Sequence, residues 1–262
     1  MYFIDHTTYR NTHAVNNRVR FLVFHYTELN FKDSVAVLTG DTVSAHYLVP
    51  DPEDPSYLAA GFRSLNIFNL VDEQARAWHA GLSAWKARHH LNDSSIGIEI
   101  VYQPQRRSDG VLIFPDYNAQ QIEAVKELTL DILRRYPDIA PQNIVGHADI
   151  TTRKMDPGPR FPWYAFYQCG IGAWYDPATK NKYLAHFQQH GLPVADTVMH
   201  ALQQYGYATL SINQPRDSQK DEAWIRAFQM HFRPNQIDGC ADEETCAILY
   251  ALNEKYSSAF VT

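Results

Sequence analysis

Ile96-Gly97-Ile98-Glu99-Ile100-Val101 is the stretch from which the rest of the chain is read. Its isoleucines recur at every second position, and a side-chain period of two marks a β-strand. They belong on one face, against a layer of helices, which leaves Gly97, Glu99 and Val101 on the other. A carboxylate centred in an otherwise apolar strand is costly to bury unless it is paired or put to use. Glu99 therefore marks the opposite face as the functional one.

Working outward, residues 19–24 are apolar except for Arg20 and fit a buried strand that runs into His25. Residues 45–49 and 66–71 read as further strands. A helix is expected over 119–135, where Ile122, Val125, Leu128, Ile132, Leu133 and Tyr136 recur at helical spacing. Asn118 is its N-cap, Gln121 the reciprocal partner of a capping box, and Pro137 its stop. Residues 143–146 then form a short strand that ends at His147. Strands alternating with helical patterns predict an α/β fold, a central mixed β-sheet flanked by helices, with candidate functional groups at strand ends.

After residue 163 the pattern changes. Residues 170–182, with Pro177 among small residues, read as a linker or wrapping segment. Residues 195–205, 222–232 and 242–254 read as three short helices, a small C-terminal module near the lower size limit for independent folding. The expected division is a unit over 1–175 and a helical module over 183–262.

Composition narrows the function. The chain has 262 residues, 45% of them hydrophobic, enough for one large core or a core with a satellite. With 23 basic and 29 acidic residues its net charge is −6, which argues against nucleic acid as the main partner. No apolar run reaches the roughly 20 residues a transmembrane helix needs. The start, Met1-Tyr2-Phe3-Ile4-Asp5-His6, lacks the basic region and apolar core of a signal peptide. Three cysteines, Cys169, Cys240 and Cys246, form no disulfide framework and no CxxC pair. Buried free thiols are expected, with a Cys240–Cys246 pair as the alternative.

The chemistry gathers in Gly146-His147-Ala148-Asp149-Ile150-Thr151-Thr152-Arg153-Lys154-Met155-Asp156-Pro157-Gly158-Pro159. An imidazole, an ammonium and a carboxylate share one turn-rich segment. A catalytic zinc ion typically takes three protein ligands and keeps a fourth position open. His25, His147 and Asp156 would supply two nitrogens and one oxygen. Glu99 would move the proton of the attacking water, and Lys154 would face developing negative charge. Taken singly, each has a plainer reading: His25 as a strand-end histidine, His147 and Asp156 as turn residues, Lys154 as a solvated lysine. No HExxH motif settles the matter.

In ordered anchors the chain resembles the zinc-dependent N-acetylmuramoyl-L-alanine amidases of the AmpD and AmiD type, within the peptidoglycan-recognition-protein-like superfamily. The anchors are Phe21-Leu22-Val23-Phe24-His25-Tyr26-Thr27, Ser44-Ala45-His46-Tyr47-Leu48-Val49, Ala77-Trp78-His79-Ala80-Gly81, Asn92-Asp93-Ser94-Ser95-Ile96-Gly97-Ile98-Glu99-Ile100, and Val145-Gly146-His147 through Asp156-Pro157-Gly158-Pro159. Further on, the segment from Arg226 to Pro234, Asp238-Gly239 and the segment from Ala247 to Leu252 look like the family's helical peptidoglycan-binding module.

The resemblance implies a Zn²⁺ site of His25, His147 and Asp156, with Glu99 and Lys154 as the acid/base and oxyanion pair. It implies hydrolysis of the amide between the lactyl group of N-acetylmuramic acid and the L-alanine of the stem peptide. His46, Trp78, His79 and Asn92 match groove positions and are expected to contact substrate; for Trp78 the alternative is a core aromatic, and for His46 a partner that orients a ligand. Two departures stand out. His147 and Asp156 lie one position closer than the family pattern, and Ala45 occupies the place of a tyrosine in the phage-lysozyme relatives. The expected partners are peptidoglycan or muropeptides, and the expected site of action is periplasmic. The alternatives are a muropeptide-recognition protein of the same fold and a zinc peptidase acting within the stem peptide.

Overall fold

The structure is a computed structural model describing every residue except 1–3, 6, 10, 12, 14, 16, 209–216 and 258–262. Most of the Met1–His6 start therefore lies outside the described residues, as does the end of the chain. The five-stranded sheet comprises β1 (Phe21–Tyr26), β2 (Tyr47–Val49), β3 (Phe68–Asn69), β4 (Ser95–Ile100) and β5 (Ile144–Gly146), in the order β3-β2-β4-β1-β5. β1 pairs in parallel with β4 and β5, and β2 pairs in parallel with β4, while β3 runs antiparallel to β2. The sheet is mixed, as expected. Its parallel centre is covered on both faces, which is why β1 reads as a continuous apolar run rather than an alternating one.

The helices are α1 (Phe31–Leu38), α2 (Pro55–Ala59), α3 (Ala119–Arg135), α4 (His147–Ile150), α5 (Trp163–Gln168), α6 (Pro177–His190), α7 (Ala195–Tyr205), α8 (Ser218–Phe232) and α9 (Glu243–Tyr256). α3 has the expected bounds and buries Val125, Thr129 and Ile132. Asn118 caps it by accepting from the amides of Gln120 and Gln121. The Gln121 side chain does not return the bond. Its Nε2 instead donates to the carbonyls of Val49 and Val101 at 3.2 and 2.8 Å, where β2 and β4 end; the Val49 carbonyl also accepts from the Val101 amide at 2.9 Å. A buried carbonyl without a partner costs more than half a capping box contributes.

The three expected C-terminal helices are α7, α8 and α9, with Asp242 as the N-cap of α9. One more precedes them. Pro177, read as a linker residue, is the first residue of α6, where proline's missing N–H costs nothing, and Asp176 caps it. These helices do not stand apart: Phe228, Phe232, Leu249 and Leu252 belong to one core with Phe24, Trp163 and Ile144 of the sheet layer. Phe24 has no solvent exposure and packs on Phe161, Trp163 and Phe166. All three cysteines are free; Cys246 is buried, whereas Cys169 and Cys240 are exposed. Among the described residues no helix is long and apolar enough to cross a membrane.

Candidate metal centre

In the parallel part of the sheet, the carboxyl ends of β1, β4 and β5 lie side by side. The register sets His25 beside Glu99 and Phe24 beside Gly146, whose successor is His147. Open α/β sheets present their sites at this edge. The turn after α4 then returns Asp156, and the amide of Ala148 donates to the Asp156 carbonyl at 2.9 Å. Tyr117 holds the same turn by donating to the carbonyl of Pro157 at 2.7 Å.

Three donor atoms converge here. His25 Nδ1 lies 3.0 Å from His147 Nδ1 and 2.9 Å from Asp156 Oδ2, and His147 Nδ1 lies 3.0 Å from the same oxygen. All three residues are buried, and they form the one such cluster found among the described residues. Burial lowers the His25 pKa to about 4, so its imidazole is neutral at pH 7. Burial alone would raise Asp156, but His147 and His25 hold its carboxyl well below the usual range, so it is ionised.

A chain of hydrogen bonds fixes which His25 nitrogen carries the proton. Ser95 has one hydroxyl proton and donates it to the Leu91 carbonyl at 2.7 Å. Its oxygen therefore accepts from His79 Nε2, at 3.1 Å. Burial drives the His79 pKa well below 6.5, so that ring is neutral and its Nδ1 is an acceptor. That Nδ1 lies 2.9 Å from His25 Nε2, which must donate. His25 Nδ1 is left as a bare lone pair facing a carboxylate oxygen. Two such lone pairs at 2.9 Å repel unless a cation lies among them. The donor set, two imidazole nitrogens and one carboxylate oxygen, thus fits a metal ion.

The cluster opens onto a cavity of about 200 Å³ lined in part by His147, Asp156, Glu99, Lys154, Trp78 and Tyr26. Burial, with the Asp156 charge nearby, pushes the Glu99 carboxyl up to about 8, and its buried Oε2 has no hydrogen-bond partner. Such a group can take up and return a proton near neutral pH. Lys154 also lines the cavity, so the shortened turn still delivers it there.

The four expected substrate contacts separate. Trp78 is 52% exposed and lines the cavity, with its backbone pinned to Ser44 at 2.9 Å. His46 has no exposure and no free nitrogen: Nδ1 accepts from the Gly97 amide at 3.0 Å and Nε2 donates to the Ala75 carbonyl at 3.4 Å. It braces β4 rather than meeting substrate. His79 borders the cavity, but both ring nitrogens are engaged with His25 and Ser95. Asn92 is buried, and its Oδ1 accepts from the amides of His79 and Ala80, which fixes the loop carrying His79.

Sequence reasoning missed Ser95 and the reason for Gly97. The signal was present: a lone glycine inside a strand marks a close approach. A Cβ at Gly97 would lie 2.5 Å from His79 Cγ. It also missed Asp149, a buried carboxylate two residues beyond His147.

The chain is similar to known proteins over most of its length. The model of the family described as N-acetylmuramoyl-L-alanine amidase matches residues 15–159. The chain is 45% identical to N-acetylmuramoyl-L-alanine amidase AmiD of Escherichia coli over 250 residues, 95% of this chain and 87% of that one. Among solved structures, it is similar to AmpDh3 from Pseudomonas aeruginosa in complex with anhydromuramic pentapeptide, at 54% identity, 98% and 100% coverage and a TM-score of 0.94. It is also similar to E. coli AmiD in complex with anhydro-N-acetylmuramic acid-L-Ala-D-gamma-Glu-L-Lys, at 43% identity, 94% and 93% coverage and a TM-score of 0.83.

Proposed function

The chain belongs to the N-acetylmuramoyl-L-alanine amidase family and hydrolyses the amide that joins N-acetylmuramic acid to L-alanine, and from that premise we propose how its residues divide the work. The reading rests on one observation above the others: His25 Nδ1, His147 Nδ1 and Asp156 Oδ2 lie 2.9–3.0 Å from one another beside a cavity that holds Glu99 and Lys154. We assign the three as ligands of a zinc ion. Bound there, zinc supplies a Lewis acid that acidifies water and polarises the scissile carbonyl.

Glu99 accepts the proton of the attacking water and returns it to the departing nitrogen of L-alanine. Its buried Oε2, without a hydrogen-bond partner at the cavity, is free for both halves of that task. Lys154 places a positive charge beside the carbonyl oxygen as negative charge gathers on it. Trp78 offers an exposed ring face at the cavity mouth, suited to an amphipathic sugar. The complexes of AmpDh3 and AmiD with anhydromuramyl peptides support anhydromuropeptides as substrates of this chain too. We further propose a catalytic unit over 1–175, a wall-binding helical module over 183–262 and action in the periplasm. A groove of about 1260 Å³ at the junction with α6 and α8, where Tyr164 is exposed, is the surface we assign to the wall-binding role.

The test is mass spectrometry of purified muropeptides incubated with the protein, with and without a zinc chelator. Chelator-sensitive release of an intact stem peptide beginning at L-alanine is expected. Glu99→Ala should abolish that release while zinc stays bound; loss of zinc in this variant would make Glu99 a ligand and overturn the roles assigned. A shortened peptide as product would move the cleavage into the stem.

A further inference from the structure

We propose that Tyr207 and His231, contributed by the C-terminal helical segment, are positioning residues for the metal centre. They act through Asp149, which fixes the one-turn helix that carries His147. The inference rests on the assignment of His147 and Asp156 as ligands and adds that the C-terminal helices complete the centre as well as serving the wall.

α4 is four residues long, and a single turn has too few internal hydrogen bonds to hold itself. Its orientation must come from outside. Asp149, 2% exposed, supplies the link. Its Oδ2 accepts from the Gly146 amide at 2.7 Å, closing the start of the turn immediately before His147. A carboxylate this deeply buried needs further donors, and the chain brings two from far downstream. The Tyr207 hydroxyl donates to Oδ1 at 2.7 Å, and His231 Nδ1 meets Oδ2 at 2.7 Å.

Both donors are themselves held. His231 lies between Trp163 and Phe232, with ring centroids 3.7 and 4.0 Å away and nearly parallel planes. Tyr207 packs edge-on to Trp85 at 4.9 Å, and the Gly206 carbonyl beside it accepts from the Lys86 amide at 2.6 Å. Gly206 has to be glycine here, because its φ is +158° and a Cβ would lie 2.5 Å from the Trp85 ring. Displacement at α4 reaches both ligands: His147 is its first residue, and the Ala148 amide ties it to the Asp156 carbonyl at 2.9 Å. The path from α8 to the metal centre is therefore a row of direct contacts, each end of which is packed in the core.

The test measures Zn²⁺ affinity by chelator competition on the full chain, in the wild type and in Tyr207→Phe, His231→Leu, the double variant and His231→Asn. Hydrogen exchange over residues 144–157 is measured alongside. Tyr207→Phe keeps the ring and removes only the donor. His231→Asn keeps a donor near the Nδ1 position. The expected result is an affinity loss on the order of 10-fold in the double variant, with faster exchange at Gly146 and Ala148 and recovery of affinity in His231→Asn. Phe187→Leu, which loosens the buried contact of α6 with Tyr183 and Tyr250 away from Tyr207, His231 and Asp149, should lower the melting temperature and leave affinity unchanged. Wild-type affinity in the double variant, or an equal affinity loss in Phe187→Leu, would overturn the proposal. A wild-type chain that binds no zinc would overturn the ligand assignment beneath it.

Discussion

Gly97→Ala should weaken metal binding although the residue touches no ligand. The added methyl would lie 2.5 Å from Cγ and 2.6 Å from Nδ1 of His79. No carbon tolerates that approach, so the ring must swing off β4 or the strand must shift. His79 Nδ1 is the acceptor that holds the proton on His25 Nε2 and leaves Nδ1 bare for the metal. Losing such an outer partner costs about 10–100-fold in affinity, or about 1.4–2.8 kcal/mol. Overpacking will also cost stability, about 1–3 kcal/mol, and urea unfolding of the metal-free protein reads that separately. The assay is competition for Zn²⁺ against a chromophoric chelator in the wild type, Gly97→Ala, His79→Ala and the double variant. If the methyl acts through His79, removing the ring makes room for it. The double variant should then bind within about twofold of His79→Ala, a coupling close to the whole single-variant effect. Wild-type affinity in Gly97→Ala would refute the reasoning. So would a full additional loss when Gly97→Ala is placed on His79→Ala.

Three further outcomes follow from the same geometry. Asp156→Ala should release zinc under mild chelation, because two imidazoles alone are left; unchanged metal content by atomic absorption would exclude Asp156 as the third ligand. In the metal-free protein, Glu99 keeps a proton that the unfolded chain sheds, its pKa being raised from 4.5 to about 8. That stability is complete below pH 4.5 and is lost as pH rises through 8, so Glu99→Gln should gain on the wild type between pH 5 and pH 9 by up to about 5 kcal/mol; parallel urea-unfolding profiles would contradict it. Phe24→Ala removes a ring with no exposure from the Phe161, Trp163 and Phe166 cluster and should cost about 3–5 kcal/mol; a loss below about 1 kcal/mol would mean that the two halves of the core do not depend on this contact.

The elements most legible in the sequence are those with long, clean periods. α3 and α7 take the bounds that their apolar spacing predicts, because a helix of several turns repeats its buried face often enough to be read. α6 was missed at its start because Pro177 looks the same in a linker and at the first position of a helix. Only the Asp176 cap and the packing of Tyr183 and Phe187 distinguish the two. Gln121 shows the converse: its spacing suits a capping box, yet two carbonyls of distant strands claim its side chain.

At the site, the residue types were readable and their division of labour was not. Glu99, His147, Lys154 and Asp156 line one cavity, and His25 joins His147 and Asp156 in the cluster at its wall. His46 and His79 matched the same motif set, yet His46 is fully buried and His79, at the cavity wall, has both ring nitrogens engaged with His25 and Ser95. Whether a histidine beside a strand contacts substrate or braces a neighbour depends on which strand lies alongside, and strand order is a non-local property. By itself, the sequence determined the mixed sheet, the long helices and the chemical inventory, since these follow from local period and residue type. Only the tertiary structure decided that His25 presents Nδ1, that Gly97 makes room for His79, and that Asp149 is held by Tyr207 and His231, because each depends on atoms tens of residues apart meeting within hydrogen-bond distance.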